Sequence, residues 1–316
     1  MYKAHKIAIV IPAYNEELLI LETLDGMPDY VDRMYVVDDC SRDRTLELVL
    51  QRQNEDPRVE MIHHEVNKGL GQSLIDGYLE SAQSDADITV VMAGDNQMHP
   101  DDLPGLLDKI IEEDYDYVKG NRLLHRNIAS MPTYRFLGNS LLTLLTKFAT
   151  GYYFSMDPQC GYTAIKNSVL RNIPIEQMTT GYGYNADILC MLNIQRYSVA
   201  DVQVRPVYDR EKSKIKLWKY IPKTSWILVR LFFRRMWQRY TILDFHPLVL
   251  FFAFALFNFV LILIPGSIRF FYMYLKYDEF PSTTFNILIV TFLISFQSVL
   301  FAIWMDMDYN KESRRR

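Results

Sequence analysis

The chain has 316 residues, 49% of them hydrophobic, and a formal net charge of −4 at pH 7. The length is enough for one large domain or two smaller ones, and the absence of a basic surplus argues against nucleic acid as a partner. The three cysteines include no Cys-x-x-Cys pair, so a disulfide framework and a zinc site are disfavoured and a reducing compartment is expected.

The charges are unevenly distributed along the chain. Residues 1–208 are rich in Asp and Glu, residues 210–240 are rich in Lys and Arg, and residues 247–305 are nearly uncharged. Three compositions of this kind predict three different environments. The apolar run at 7–12 is too short for the core of a signal peptide, so the first two-thirds of the chain is expected to stay in the cytosol.

The first 120 residues alternate short apolar runs with helical patterns. The apolar runs lie at 7–12, 34–37, 59–63 and 88–92, and helical patterns follow them at 16–27, 45–53, 70–82 and 100–113. Ser41 or Asp43 is placed to cap the second of these helices. The alternation predicts right-handed crossovers and a mostly parallel sheet with helices on both faces. Farther along, helices are expected at 135–150 and 184–196 and strands within 157–165 and 199–207.

Polar side chains gather just after the carboxyl ends of the predicted strands, where open α/β sheets bind ligands. They are Tyr14, Asn15 and Glu16, then Asp38 and Asp39, then Asp95 and Gln97. The two adjacent aspartates can accept hydrogen bonds from a base or a ribose, or hold a divalent ion. Asp95 and Gln97 offer the oxygen ligands that Mg²⁺ or Mn²⁺ prefers. The segment Gly69-Leu70-Gly71 matches neither the dinucleotide-binding nor the P-loop glycine pattern, which disfavours both classes of protein.

Two long uncharged segments, 247–268 and 280–305, exceed the ~20 residues needed to cross a bilayer. Lys and Arg crowd the segment before the first and the tail after the second, so the positive-inside rule places both ends in the cytoplasm. Between 216 and 240, basic residues alternate with Leu, Trp, Ile and Phe, as expected of a helix lying along the membrane surface. Two membrane-spanning helices are a small anchor, so association of subunits into a homo-oligomer through these helices is an open alternative.

A group of cations lies ahead of the first uncharged segment and suits a phosphate head group, because Arg binds phosphate through two parallel hydrogen bonds. The group consists of Arg122, Arg135, Arg205, Arg210 and Lys214. Any one of them alone is more simply explained as a surface charge, so the inference rests on the group.

Six short motifs follow one another along the chain: residues 11–17 (IPAYNEE), 37–45 (VDDCSRDRT), 67–69 (NKG), 120–122 (GNR), 157–162 (DPQCGY) and 204–214 (VRPVYDREKSK). In this order they resemble the motifs of the family 2 glycosyltransferases, and the branch they most resemble is that of the polyprenyl- or dolichyl-phosphate glycosyltransferases. Each motif is weak by itself, but six in order followed by two uncharged segments make a specific signal.

The resemblance implies a GT-A fold, which is a Rossmann-like, mostly parallel α/β sheet with helices on both faces. Amphipathic interfacial helices and two C-terminal transmembrane helices are expected to follow. The implied parts are a cytosolic glycosyltransferase domain (1–210), basic juxtamembrane helices (211–244), a transmembrane hairpin (245–306) and a basic cytoplasmic tail (307–316). The implied protein is an integral membrane enzyme with its catalytic domain and both termini in the cytoplasm.

The implied reaction is an inverting transfer of one sugar from a UDP- or GDP-linked donor to a polyprenyl or dolichyl phosphate. The implied nucleotide-sugar-binding residues are Pro12, Tyr14, Glu16, Asp38, Asp39 and Asp95. Asp95 and Gln97 would hold Mg²⁺ or Mn²⁺, and the five cations named above would hold the acceptor phosphate. The catalytic candidates are Asp95 and Asp157, and Asp157 matches a position that serves either as a base or to orient a substrate.

Two positions depart from the family's pattern. Ala93 stands where the D-x-D metal motif has its first Asp, and Arg205 stands where Glu is frequent. The first departure predicts weaker or altered metal binding, or help from Asp38 or Asp39. The alternatives are therefore transfer to another membrane acceptor, such as a polysaccharide or a glycolipid, and a catalytically impaired relative that binds nucleotide sugars.

Overall fold

The computed structural model describes residues 1–122, 133–181, 183–205 and 217–311, with the backbone alone at 133–139 and 217–221. Within these ranges the chain forms two compact units, Met1–Phe233 and Arg234–Lys311. The first unit is built around a β-sheet, and the second is helical.

A sheet of seven described strands forms the centre of the first unit, in the order β3-β2-β1-β4-β6-β5-β7. The strands are β1 (Ile7–Ala13), β2 (Arg33–Asp38), β3 (Val59–His63), β4 (Ile88–Val91), β5 (Tyr117–Asn121), β6 (Thr163–Lys166) and β7 (Val199–Gln203). Strand β6 runs antiparallel to β4 and β5, whereas the other neighbouring pairs are parallel. The mostly parallel sheet predicted from the sequence is confirmed.

Helices cover both faces of this sheet, because its strands are apolar on both sides. The helices that begin in the first unit are α1 (Ile20–Asp25), α2 (Thr45–Glu55), α3 (Leu70–Gln83), α4 (Leu103–Ile111), α5 (Thr133–Thr150), α6 (Asn167–Leu170), α7 (Tyr184–Ile194) and α8 (Leu217–Trp237). Successive strand residues point to opposite faces. Ile9 therefore lies in a core with residues of α1, α2 and α4, and Val10 lies in a second core with residues of α3, α6 and α7.

A third cluster of buried residues joins α5, α7 and the first part of α8. Ala149, Cys190, Leu228 and Leu231 are among its members. On α8 the opposite side is open, and Trp226 is 72% exposed. The segment for which the sequence predicted a membrane-surface helix therefore has one face packed within the first unit and another that exposes a large aromatic side chain.

Helix α1 is shorter than the helical pattern at 16–27 predicted, because the residues ahead of it bind a neighbouring loop. The Glu16 N–H donates to Thr45 Oγ1 (2.8 Å), and the Glu17 N–H donates to Asp43 Oδ2 (3.2 Å). At the start of α2, Asp43 Oδ1 also accepts from the Thr45 N–H (3.0 Å). Ser41, the other cap candidate, instead accepts from the loop after β1.

The second unit contains two helices of membrane-spanning length. Leu248–Tyr277 has 30 residues and a mean hydropathy of 2.7, and Ser282–Tyr309 has 28 residues and a mean hydropathy of 2.3. The first comprises α9 (Leu248–Asn258), a π-helical turn (Phe259–Leu263) and α10 (Ile264–Tyr277), and the second is α11. By length and composition each suffices to cross a bilayer. The first extends nine residues beyond the uncharged segment that predicted it, from 268 to 277.

A buried ion pair ties the start of the second unit to the end of α11. Arg235 donates to both carboxylate oxygens of Asp306 at 2.7 Å, and both side chains are fully buried. Tyr240 Oη and Asn310 Nδ2 donate to the same carboxylate at 2.5 and 2.8 Å. Charges removed from water are stable only when they are paired and hydrogen-bonded in this way.

Candidate active site

The carboxyl ends of β1, β2 and β4 meet at one edge of the sheet, which brings the predicted nucleotide-binding residues together. Ala13 is the register partner of Asp38 in the pairing of β1 with β2. The Asp39 N–H donates to the Ala13 carbonyl (2.9 Å), and the Gly94 N–H donates to the Pro12 carbonyl (3.1 Å). The loops that follow these three strands therefore start from adjacent positions.

Hydrogen bonds join the loop after β1 to the loop after β2. The Asn15 N–H donates to Ser41 Oγ (2.9 Å), next to the bond between Glu16 and Thr45. Asn15 has a φ of +58°, a left-handed conformation that Asn tolerates better than most residues. The neighbouring Tyr14 side chain is exposed, so its ring is accessible to a ligand at this edge.

Protein donors already occupy the Asp39 carboxylate. Its oxygens accept from the N–H groups of Lys68 (2.7 Å) and Gly69 (2.8 Å). His64 lies between two carboxylates, with Nδ1 2.9 Å from Asp39 and Nε2 2.8 Å from Asp76. Gly69 has a φ of +91°, which favours glycine. Asp39 therefore fixes the turn that enters α3 through two backbone N–H groups.

Substituting Asp39 with Asn is expected to lower the free energy of unfolding by about 2 kcal/mol, because the amide would set an N–H group against a backbone N–H. Urea unfolding of the full chain in detergent measures this loss. The matched variant Asp29→Asn, at an exposed position, should change the same quantity by less than about 0.5 kcal/mol. Equal stability of the two variants would contradict the structural role of Asp39.

Asp38 differs from its neighbour in having an uncommitted oxygen. Its Oδ2 accepts from the Ser41 N–H (3.3 Å) and lies 2.9 Å from His63 Nδ1. Its Oδ1 is buried and contacts no hydrogen-bond donor among the described residues. Because a buried acceptor without a donor is unfavourable, a water molecule or a ligand is expected to donate to this oxygen. Of the two adjacent aspartates, Asp38 is thus the better candidate for contact with a nucleotide.

The turn after β4 offers a small set of oxygen ligands. Asp95 Oδ1 accepts from the Gln97 N–H (3.1 Å), and the Ala93 N–H points to Met98 Sδ (3.3 Å). In the described parts of the chain, no group of three or more His, Cys, Asp or Glu side chains is arranged for a metal ion. One carboxylate and one amide oxygen nevertheless suit Mg²⁺ or Mn²⁺, which bind few protein ligands when substrate phosphates and waters supply the others.

Arg122 and Asp157 form a bidentate ion pair at the end of β5. Arg122 Nε and Nη2 donate to the carboxylate at 2.8 and 3.0 Å, and the Arg122 N–H donates at 3.1 Å. Burial alone would raise the pKa of Asp157, but the guanidinium and the N–H outweigh burial and lower it. Asp157 is therefore ionised at neutral pH and is a weak general base. Its geometry favours the orienting role over the role of a base.

Of the other predicted acceptor-binding cations, Arg205 is the one whose side chain belongs to the described residues. Arg205 forms ion pairs with Asp101 (3.3 Å) and Asp102 (3.1 Å), next to the start of α4. The side chain of Arg135 and the whole of Arg210 and Lys214 lie outside the described residues.

Sequence reasoning missed four polar side chains in this region. They are His63, His64, Lys119 and Asp201. The two histidines lie at the carboxyl end of β3. Asp38 was selected because it lies at the carboxyl end of a predicted strand, and the same criterion would have selected both histidines. Lys119 and Asp201 are register partners in β5 and β7. Only the pairing of these strands, which the sequence did not predict, brings the two together.

In a mostly parallel α/β sheet, ligands bind at the carboxyl ends of the strands, which is the edge where these acidic and amide side chains lie. The family described as Glycosyl transferase family 2 matches residues 8–172, and the chain belongs to this family. The protein is therefore a glycosyltransferase, as its motifs predicted. The matched residues include Asp38, Asp95, Arg122 and Asp157.

Proteins of similar sequence occur in several organisms. A UDP-N-acetylglucosamine–dolichyl-phosphate N-acetylglucosaminyltransferase of Methanococcus voltae is 28% identical over 216 residues, which cover 64% of this chain and 86% of that protein. An undecaprenyl-phosphate mannosyltransferase of Micrococcus luteus is 29% identical over 186 residues, which cover 58% of this chain and 76% of that protein.

The fold is also similar to that of solved glycosyltransferase structures. Glucosyl-3-phosphoglycerate synthase from Mycobacterium tuberculosis, in complex with Mn²⁺, UDP and glucosyl-3-phosphoglycerate, has a TM-score of 0.56 to this chain. The two chains are 20% identical, and the match covers 73% of this chain and 80% of the synthase. At this level of identity the likeness concerns the fold, and it confirms the GT-A fold that the motifs predicted.

Proposed function

We propose that this glycosyltransferase transfers a single sugar, with inversion, from a nucleotide sugar to a polyprenyl or dolichyl phosphate. The observation that carries the proposal is that one chain combines a glycosyltransferase unit with two helices of membrane-spanning length. An acceptor anchored in the bilayer explains this combination. The names of the two similar transferases, which specify dolichyl phosphate and undecaprenyl phosphate, support it.

The donor is a UDP- or GDP-linked sugar bound at the carboxyl edge of the sheet. Asp38 would accept a hydrogen bond from the base or the ribose through its buried Oδ1. Pro12, Tyr14 and Glu16 would line the same end of β1. The proposed role of Asp39 is to position the turn before α3, because its carboxylate binds the N–H groups of Lys68 and Gly69.

A divalent cation, Mg²⁺ or Mn²⁺, would be held by Asp95 and the amide oxygen of Gln97, together with the donor's diphosphate. When bound, such an ion neutralises the charge that develops on the departing nucleotide. Because Ala93 supplies no ligand, the affinity for the ion should depend strongly on the presence of the nucleotide.

The acceptor phosphate is the nucleophile and needs little help from a base. The second pKa of a phosphate monoester is about 6, so its oxygens are largely deprotonated at neutral pH. A guanidinium can bind a phosphate through two parallel N–H groups, and the pair with Asp157 fixes where this guanidinium lies. Arg122, oriented by Asp157, is the proposed centre of the acceptor-phosphate site. The further proposed contacts are Arg135, Arg205, Arg210 and Lys214.

In this proposal the catalytic domain (1–210) and both termini lie in the cytoplasm. The juxtamembrane helices (211–244) would lie at the membrane surface, followed by the transmembrane hairpin (245–306) and the tail (307–316). The excess of Lys and Arg on both flanks of the hairpin supports this orientation. The exposed Trp226 on α8 supports contact with the interface, where tryptophan is enriched.

A transfer assay on the full chain in detergent tests the proposal. The assay contains polyprenyl phosphate, Mg²⁺ or Mn²⁺, and a panel of labelled UDP- and GDP-sugars. Label should move into the organic phase with one donor of the panel and should stay in the aqueous phase when the lipid is omitted. If folded protein binds UDP or GDP but transfers no sugar to the lipid with any donor, the assigned acceptor is wrong.

Ala93 favours a second candidate function, in which the chain binds nucleotide sugars without turning them over. The variant Ala93→Asp separates the two functions. For an active enzyme, the variant should lower the metal concentration that gives half-maximal transfer. For an impaired relative, the wild type should be inactive and the variant should acquire transfer.

A further inference from the structure

A buried lysine and a partly buried aspartate lie close to the pair of Arg122 and Asp157 and have no part in the proposed nucleotide, metal or acceptor sites. Lys119 of β5 and Asp201 of β7 are register partners, and Lys119 Nζ lies 3.4 Å from Asp201 Oδ1. The Lys119 side chain is 2% exposed. Burying a charged side chain costs hydration free energy that an apolar side chain would not lose. The groups that Lys119 and Asp201 bind must therefore offset this cost.

Both charges bind the same short segment, Ser155–Asp157. Lys119 Nζ donates to the carbonyls of Met156 and Asp157, the second at 3.1 Å. Asp201 accepts from Ser155 Oγ (3.0 Å) and from the Met156 N–H (2.6 Å). Three consecutive residues are therefore held by one ion pair, the lysine binding carbonyls and the aspartate binding N–H and O–H groups.

Asp157 lies in this segment with a left-handed backbone conformation. Asp tolerates its φ of +48° better than most residues with a Cβ atom, and the contacts of Lys119 and Asp201 hold the segment in it. In this conformation the Asp157 carboxylate receives three N–H groups of Arg122. Without Lys119, two carbonyls would lose a donor and Asp201 would lose its counter-charge, so the segment would relax away from this geometry.

We infer that Lys119 and Asp201 form a positioning pair that sets the place of the Arg122 guanidinium through the segment Ser155–Asp157. The pair acts on the acceptor phosphate only through Arg122. This inference rests on the proposed function in assigning the acceptor phosphate to Arg122.

A double-mutant cycle between Lys119→Met and Arg122→Ala tests the inference in the full chain, with polyprenyl phosphate as acceptor. Lys119→Met alone should raise the acceptor KM about tenfold and change the donor KM by less than about twofold. In the Arg122→Ala background, Lys119→Met should raise the acceptor KM by less than about a further twofold, because the guanidinium through which Lys119 acts is absent. An unchanged acceptor KM, or a full tenfold effect in that background, would overturn the inference.

Lys166→Met is the matched control, since Lys166 also binds aspartates, Asp114 and Asp116, but at the start of β5. This variant should leave the acceptor KM within about twofold of the wild type. If Lys119→Met does not fold, Asp201→Asn replaces it in the double-mutant cycle with Arg122→Ala. Asp201→Asn should then raise the acceptor KM in the wild type and by less than about twofold in the Arg122→Ala background.

Hydrogen exchange of the peptide that contains residues 152–160 gives a readout that does not depend on the acceptor. Lys119→Met should speed exchange in this peptide by about tenfold or more, and Lys166→Met should leave it unchanged. Unchanged exchange in Lys119→Met would refute the positioning of the segment. If the wild type transfers no sugar to polyprenyl phosphate while the exchange result is as expected, the proposed acceptor fails and the positioning pair stands.

Discussion

The variant Asp95→Ala is expected to lose about 10³-fold or more in kcat, which corresponds to roughly 4 kcal/mol of transition-state stabilisation. Asp95 is the one carboxylate in the turn 93–98 after β4. The neutral amide of Gln97 alone does not replace it as a ligand for a hard cation. The affinity for UDP or GDP, measured by titration without metal, should fall far less because Asp38, the proposed contact of the nucleotide, is unchanged.

The matched control for this loss is Asp114→Ala, at an exposed position before β5. Its kcat should stay within about twofold of the wild type, because surface charges far from the site have small effects. Turnover of Asp95→Ala close to that of the wild type, at saturating metal and donor, would refute the role of Asp95 in metal binding.

Patterns that are local in sequence predicted most of the part of the sheet that contains β1 to β4. The apolar runs at 7–12 and 88–92 became β1 and β4, since strands buried on both faces are recognisable from a few residues. The antiparallel insertion of β6 between β4 and β5 was not predicted. Which strands pair is decided by contacts between residues far apart in sequence, and the spacing of apolar residues along the chain does not predict it.

The chemical environment of a side chain was less predictable than its position. Asp38 and Asp39 are adjacent and identical in type, so the sequence assigned both to the nucleotide. Only the structure shows that the Asp39 carboxylate accepts from the N–H groups of Lys68 and Gly69. It also shows that Oδ1 of Asp38 has no donor among the described residues. A lysine in a strand is ordinarily expected at the surface. Lys119 is buried because the carbonyls and the carboxylate that bind it come from distant segments.

The variant Asp157→Asn is expected to raise the acceptor KM by about thirtyfold, equivalent to roughly 2 kcal/mol, and to leave the donor KM within about twofold. The amide keeps the shape of the side chain but loses the charge and one of the two oxygens that receive Arg122. Asp116→Asn is the matched control, since Asp116 binds Ser198 at the opposite end of β5. It should reduce stability without changing the acceptor KM.

The pH dependence of the same variant separates the orienting role from that of a base. Since the pKa of Asp157 lies below its ordinary value, its carboxylate is ionised from about pH 5 to 9 and contributes no change in rate there. The acceptor phosphate should instead make kcat/KM rise as pH increases through about 6 and level off above. This rise should persist in Asp157→Asn at a lower overall rate. Its disappearance would identify Asp157 as the general base, because the titrating group would then have been removed with the carboxylate.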